Sequence, residues 1–139
     1  MAKRVLVVED NELNLKLFCD LLRAHGFLTE PVRDGREAIA KAREFEPDLV
    51  VTDIQLPHVS GEDLIRHMKV DAALRTIPIM AVTAYAGHED EERIRAAGAD
   101  AYVSKPISLA RFMEEVRALV PENPSPFGSG REPTQSAEG

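Results

Sequence analysis

Leu49-Val50-Val51-Thr52-Asp53-Ile54-Gln55-Leu56-Pro57 is the stretch on which the fold turns. Its first four residues are apolar or β-branched and do not alternate with polar ones. That is the pattern of a short strand covered on both faces of a parallel sheet. An acid follows at once, and a proline closes the stretch. The same kind of run recurs at Val5-Leu6-Val7-Val8, Ile79-Met80-Ala81-Val82 and Ala101-Tyr102-Val103-Ser104. A weaker one, Leu28-Thr29-Glu30-Pro31-Val32, carries a proline and polar residues, which suit an edge strand.

Helical periodicity fills the gaps. Leu13, Leu17 and Leu21, with Phe18 and Leu22 beside them, predict one apolar stripe on a helix from about Glu12 to His25, ended by Gly26. Further helices are predicted over 36–45, 61–70, 89–97 and 109–119, with Gly98 stopping the fourth. In the last, Leu109, Phe112, Met113, Val116 and Leu119 are the expected buried face. Five strands alternating with five helices give a three-layer α/β domain with a mainly parallel sheet and right-handed connections.

The chain of 139 residues suits one such domain. Its 24 acidic and 17 basic residues leave a net charge of −7, which argues against a dedicated nucleic-acid binder. With 5% aromatics and no tryptophan, base-stacking platforms are not expected either. No apolar run approaches the roughly 18–20 residues that span a bilayer, and Met1-Ala2-Lys3-Arg4 leads straight into Val5 without a secretory pattern. The lone Cys19 excludes an intrachain disulfide and is expected to be a small packing residue. A cytoplasmic, reduced protein is the expectation. Residues 1–120 form the body. Residues 121–139 are more than half Pro, Gly and Ser, with Phe127 the one large apolar side chain. They are expected to be a disordered tail, a docking peptide being the alternative.

In an open parallel sheet, ligands bind beyond the carboxyl ends of the strands. There the sequence places Glu9-Asp10-Asn11, Asp53, Thr83-Ala84 and Lys105-Pro106. Singly, each has a plainer reading: Asp10 or Asn11 as a helix cap, Asp53 opening a turn, Thr83 as a cap, Lys105 as a solvated charge. Together, three carboxylates at one edge repel one another unless a cation neutralises them. A hard divalent ion such as magnesium suits Glu9, Asp10 and Asp53. A carboxylate is also a nucleophile that forms an aspartyl-phosphate. Lys105 and Thr83 would then hold phosphoryl oxygens by charge and hydrogen bond.

These residues resemble the receiver domain of two-component response regulators over roughly 3–120. The motifs are Val7-Val8-Glu9-Asp10-Asn11, Thr52-Asp53-Ile54-Gln55-Leu56-Pro57, Gly61, Ala81-Val82-Thr83-Ala84, Gly98-Ala99-Asp100-Ala101-Tyr102 and Ser104-Lys105-Pro106. Glu9-Asp10-Asn11-Glu12-Leu13-Asn14 and Ser104-Lys105-Pro106-Ile107-Ser108 look most like single-domain regulators of the DivK type. The resemblance implies the flavodoxin-like strand order 2-1-3-4-5 and a phosphoacceptor at Asp53. It implies metal ligands at Glu9, Asp10, Asp53 and the Gln55 backbone carbonyl, with Mg2+ as cofactor. It implies a switch hydroxyl at Thr83, a phosphate-binding Lys105, an aromatic switch at Tyr102 and a cis peptide before Pro106. Glu9 stands where many members carry Asp, and Gln55 where Met is frequent. The Gln55 amide is positioned to orient an attacking water or simply to be solvated. His58, in the loop after Asp53, is a candidate for contact with a partner or phosphoryl donor, though a lone loop histidine is ordinarily just exposed. Tyr85 is a further candidate for packing under the switch.

The implied mechanism is phosphoryl transfer from the phosphohistidine of a kinase or phosphotransfer protein to Asp53. Thr83 then moves toward the new phosphoryl group and Tyr102 turns inward, reshaping the fourth helix, fifth strand and fifth helix. The chain is expected to be a phosphoacceptor with its own phosphotransfer and dephosphorylation chemistry rather than an enzyme. It would signal by protein contacts, as a monomer or a phosphorylation-dependent dimer, or act as a phosphate sink or relay. Asn14, Leu15, Phe18 and Leu22 of the first helix are the expected kinase-docking residues, with Phe18 and Leu22 also candidates for the core. Two other classes compete: a haloacid-dehalogenase-like phosphohydrolase, which needs a second Asp where Gln55 stands, and a flavin-binding module, which needs a phosphate loop in place of Glu9-Asp10-Asn11.

Overall fold

The computed structural model describes residues 2–84, 87–105 and 108–120. Its elements alternate without exception. They run β1 (Arg4–Val8), α1 (Glu12–Ala24), β2 (Leu28–Val32), α2 (Gly35–Phe45), β3 (Leu49–Asp53), α3 (Gly61–Val70), β4 (Ile79–Thr83), α4 (His88–Ala97), β5 (Ala101–Ser104) and α5 (Leu109–Leu119). All neighbouring strands pair in parallel, in the order β2-β1-β3-β4-β5. The strand carrying Pro31 is at the edge, where its missing N–H costs no ladder bond on the open side.

Strand residues alternate between two apolar layers. Val5, Val7, Val51, Val82 and Val103 face α1 and α5, with Phe18 stacked on Phe112 at 4.9 Å between ring centroids. Leu6, Val8, Val50, Ala81 and Tyr102 face α2, α3 and α4. The central strands β3 and β4 are buried along their whole length, as their unbroken apolar runs predict.

Two sequence expectations about helix faces need correction. On α1 the buried residues are Leu15, Phe18, Cys19 and Leu22, whereas Leu13 is 80% and Leu17 44% exposed. Two apolar stripes compete on this helix. At ~100° per residue Leu13 and Leu17 point nearly opposite to the buried set, while Leu21 lies at its edge, partly buried against the core. The bulk of Phe18 stacking on Phe112 decides which faces the sheet. On α5 the buried face is Phe112, Met113 and Val116. Leu109, in the first turn, is exposed, and Leu119 only partly covered. Cys19 is buried, as expected, and its burial pushes the thiol above its ordinary range.

Candidate functional site

The acidic edge forms because four of the five strands deliver polar residues to the same end of the sheet. Asn11 caps α1, its Oδ1 accepting from the Asn14 amide at 3.0 Å. Asp10, one residue before it, is left to face the cleft. Glu9, Asp10 and Asp53 each place a carboxylate oxygen within 4.8 Å of the others. Glu9 and Asp53 are 2% and 3% exposed. Asp53 Oδ1 accepts the Gln55 amide at 3.0 Å, so the turn-opening role and the cleft role coexist in one residue.

Lys105 follows β5 and reaches back across the top of β4. Its Nζ is 3.0 Å from Asp53 Oδ2 and 3.7 Å from Glu9 Oε1. Burial opposes its charge, but the hydrogen bond and charge of Asp53, with Glu9 and Asp10, hold it above the ordinary lysine range. Its backbone N–H donates to the Thr83 carbonyl at 2.7 Å, tying the two loop ends together. Thr83 is fully buried at the end of β4. It does not cap α4, whose N-cap is Gly87.

Glu9 is the electrostatically costly member. Burial, then the charge and hydrogen bond of Asp53, push its carboxyl up to about 7, against the opposing pull of the Asn11 amide and Lys105. Its Oε2 accepts from the Asn11 N–H at 3.2 Å, while the buried Oε1 has no hydrogen-bond partner. An orphaned carboxylate oxygen among three acids is the donor set a hard divalent cation takes, so the residues fit magnesium.

Gly61, noted in the sequence only as part of a motif, is what lets the start of α3 pack against the end of β3. A Cβ there would lie 2.2 Å from the Asp53 carbonyl oxygen and 2.6 Å from Ile54 Cα. Its N–H donates to the Ile54 carbonyl at 2.9 Å. A glycine opening a helix reads in sequence as a cap or turn, and only the close approach of β3 shows its purpose. His58 is exposed, at φ 71°, with the Val59 N–H donating to the Pro57 carbonyl at 2.7 Å. Gln55 is exposed as well.

Tyr102 lies opposite Ala81 in the sheet and shares a face with Thr83. Its ring is 8% exposed, in the cluster that holds Ile94 and Ala97 of α4. Burial, then Asp90 and Glu91, raise its phenol above the ordinary range, opposed by Arg93. The inward turn expected from the sequence therefore does not start from an exposed ring. Of the expected docking residues, Leu15, Phe18 and Leu22 are buried and only Asn14 is partly accessible. α1 instead exposes Leu13 and Leu17. Tyr85 and the peptide before Pro106 lie outside the described residues, as does the tail.

The fold is a doubly wound α/β sheet that gathers acids, a hydroxyl and an ammonium at its carboxyl edge, a donor set that suits a hard divalent cation. The comparisons narrow it. The family model described as the response regulator receiver domain matches residues 5–117. The polar-differentiation response regulator DivK of Brucella ovis is 54% identical over 120 residues, 86% of this chain and 98% of its own. The DivK of Brucella anthropi is similar to the same degree, 54% over 120 residues, with 86% and 98% covered. Among solved structures, the receiver domain of the sensor histidine kinase PA1611 from Pseudomonas aeruginosa, with a magnesium ion coordinated in its active-site cleft, matches with a TM-score of 0.80 and 29% identity. That match covers 88% of this chain and 100% of that one. CheY4 of Vibrio cholerae shares the fold at TM-score 0.81 and 24% identity, over 86% of this chain and 99% of its own. The chain belongs to the response regulator receiver family, whose general function is phosphorylation-based signalling in two-component systems. That membership displaces the phosphohydrolase and flavin readings.

Proposed function

We propose that Asp53 is the phosphoacceptor of this chain. A carboxylate oxygen of Asp53 attacks the phosphorus of a phosphohistidine, the P–N bond breaks, and the imidazole leaves with its electron pair and is protonated. The observation that carries the reading is the buried Asp53 carboxylate with Lys105 Nζ at 3.0 Å and two further acids within 4.8 Å. Lys105 offsets the charge of the transferring group, and Thr83, on the adjacent strand end, donates its hydroxyl to a phosphoryl oxygen. Glu9, Asp10, Asp53 and the Gln55 carbonyl would hold Mg2+. When bound it supplies charge neutralisation between carboxylate and phosphoryl group.

Residues 1–120 act as the receiver body and 121–139 as a separate tail. The reading makes the protein a phosphoacceptor rather than a turnover enzyme. Its donor is a histidine kinase or phosphotransfer protein, which approaches over α1 at Leu13, Asn14 and Leu17. Output passes through contacts on α4, β5 and α5, with Thr83 and Tyr102 linking them to Asp53. A cytoplasmic location fits, since no described helix is long and apolar enough to cross a membrane. The test is Mg-dependent labelling by a small phosphodonor. Asp53→Asn should abolish it, and labelling at the wild-type level would remove Asp53 from the role.

A further inference from the structure

The helix α4 is sparsely held. Its N-cap is Gly87, which offers no side-chain hydrogen bond, whereas Asn11, Asp34, Ser60 and Ser108 cap the other four helices. Among the described residues its buried side chains are Ile94 and Ala97, while α3 buries Leu64, Ile65 and Met68. Charge supplies a further tie between the two helices. Arg93 Nε donates to Glu62 Oε1 at 2.7 Å, and Arg93 Nη1 to Asp90 Oδ1 at 2.9 Å. Arg66, on α3 itself, closes on the other oxygen of Glu62. The Glu62 side chain is mostly buried, and the Arg93 hydrogen bond is the chief cause that holds its carboxyl below the ordinary range.

The two ends of this pair stand on parts of the fold with different roles. Glu62 follows Gly61, whose N–H donates to the Ile54 carbonyl at 2.9 Å, so it is anchored to the backbone just after Asp53. Arg93 precedes Ile94, which packs in the same cluster as Tyr102. In a close-packed cluster a shift at Thr83 and Tyr102 is felt by α4. Lys105 is paired with the bare Asp53 carboxylate in this arrangement, so the Arg93–Glu62 pair belongs to the unphosphorylated chain.

We propose that the Arg93–Glu62 pair is a latch that holds α4 in its unphosphorylated position and so sets the balance between two arrangements of the output face. The inference rests on the reading of Asp53 as phosphoacceptor and of α4, β5 and α5 as the output face. A contact made in one arrangement and broken in the other biases the equilibrium by its own strength and no more. For a partly exposed ion pair that is about two- to fivefold. By linkage, a latch that opposes the phosphorylated arrangement weakens binding of a phosphoryl analogue by the same factor.

The test is a titration of the full chain with beryllofluoride, a mimic of the aspartyl-phosphate, in the presence of Mg2+. The methyl resonances of Ile94 and Ala97 are followed. Arg93→Ala and Glu62→Ala should each bind about two- to fivefold more tightly. The double variant should gain no more than either single one, because both remove the same pair. Before any ligand is added, the methyl signals of these variants should already be displaced toward those of the ligand-bound wild type. Arg66→Ala, which breaks a contact within α3, should leave affinity and signals unchanged. Wild-type affinity in Arg93→Ala overturns the latch, and so do single gains that multiply in the double variant. Wild-type methyls that move on binding, with those of the unliganded variants still at the unliganded position, overturn the latch alone. Wild-type methyls that stay fixed at saturation remove the output reading and the latch with it. A wild type that binds no beryllofluoride removes the phosphoacceptor reading and the latch together.

Discussion

Lys105 Nζ stands 3.0 Å from Asp53 Oδ2, joining the ends of β5 and β3 across the intervening β4. It is the cation that the two buried acids share, since Glu9 Oε1 lies 3.7 Å from the same nitrogen. Replacing Lys105 by Ala leaves two buried carboxylates facing each other. The metal-free protein should lose about 1–3 kcal/mol of stability, measured by urea unfolding, and Mg2+ should recover more stability in the variant than in the wild type. Phosphoryl labelling of Asp53 should fall sharply in the same variant.

Glu9 gives a pH prediction of definite sign. Its carboxyl is raised from 4.5 to about 7 in the folded chain. The folded state therefore holds a proton that the unfolded state has already released. Without metal, stability is fully present below about 4.5 and falls as pH rises through about 7. The loss should be on the order of 3 kcal/mol. Glu9→Gln should flatten that decline and weaken Mg2+ binding. Urea midpoints between pH 5 and 8, with and without Mg2+, check both. A decline of equal slope in Glu9→Gln would assign it to other groups.

Gly61→Ala should be severe. The new Cβ would sit 2.2 Å from backbone that no side-chain rotation relieves. A loss of about 3 kcal/mol or more is expected, with reduced labelling of Asp53 in whatever fraction stays folded. Thermal unfolding and phosphodonor labelling read the two effects separately.

His58 is an exposed residue at φ 71°, a backbone region in which a side chain is strained. Glycine relieves the strain, although it also gives the unfolded chain more conformational freedom to lose on folding. His58→Gly should therefore raise stability by about 0.5–1 kcal/mol. A variant less stable than wild type would mean that the imidazole makes a contact of its own.

The two stripes of α1 are distinguished by a pair of truncations. Phe18→Ala removes a ring stacked at 4.9 Å on Phe112 and should cost about 3–5 kcal/mol. Leu13→Ala, at 80% exposure, should stay within about 0.5 kcal/mol. In a phosphotransfer assay from a protein donor the order should reverse among folded variants, Leu13→Ala showing the larger kinetic effect per unit of lost stability.

The sequence alone determined the alternation of strands and helices, because strands buried on both faces need unbroken apolar runs and these runs are short, local and separated by helical periods. It also placed Glu9, Asp10, Asp53, Thr83 and Lys105 at strand ends, from which one edge follows for any parallel sheet. Side-chain direction was another matter. Two apolar lines run along α1, and only packing against Phe112 chose Phe18 over Leu17, since both satisfy the helical period equally well. The reason for Gly61, the orphaned oxygen of Glu9 and the strain at His58 belong to the tertiary structure for the same reason. Gly61 depends on how closely the end of β3 approaches, Glu9 on the side chains buried around it, and His58 on the turn it occupies, and none of these is written in the residue's type.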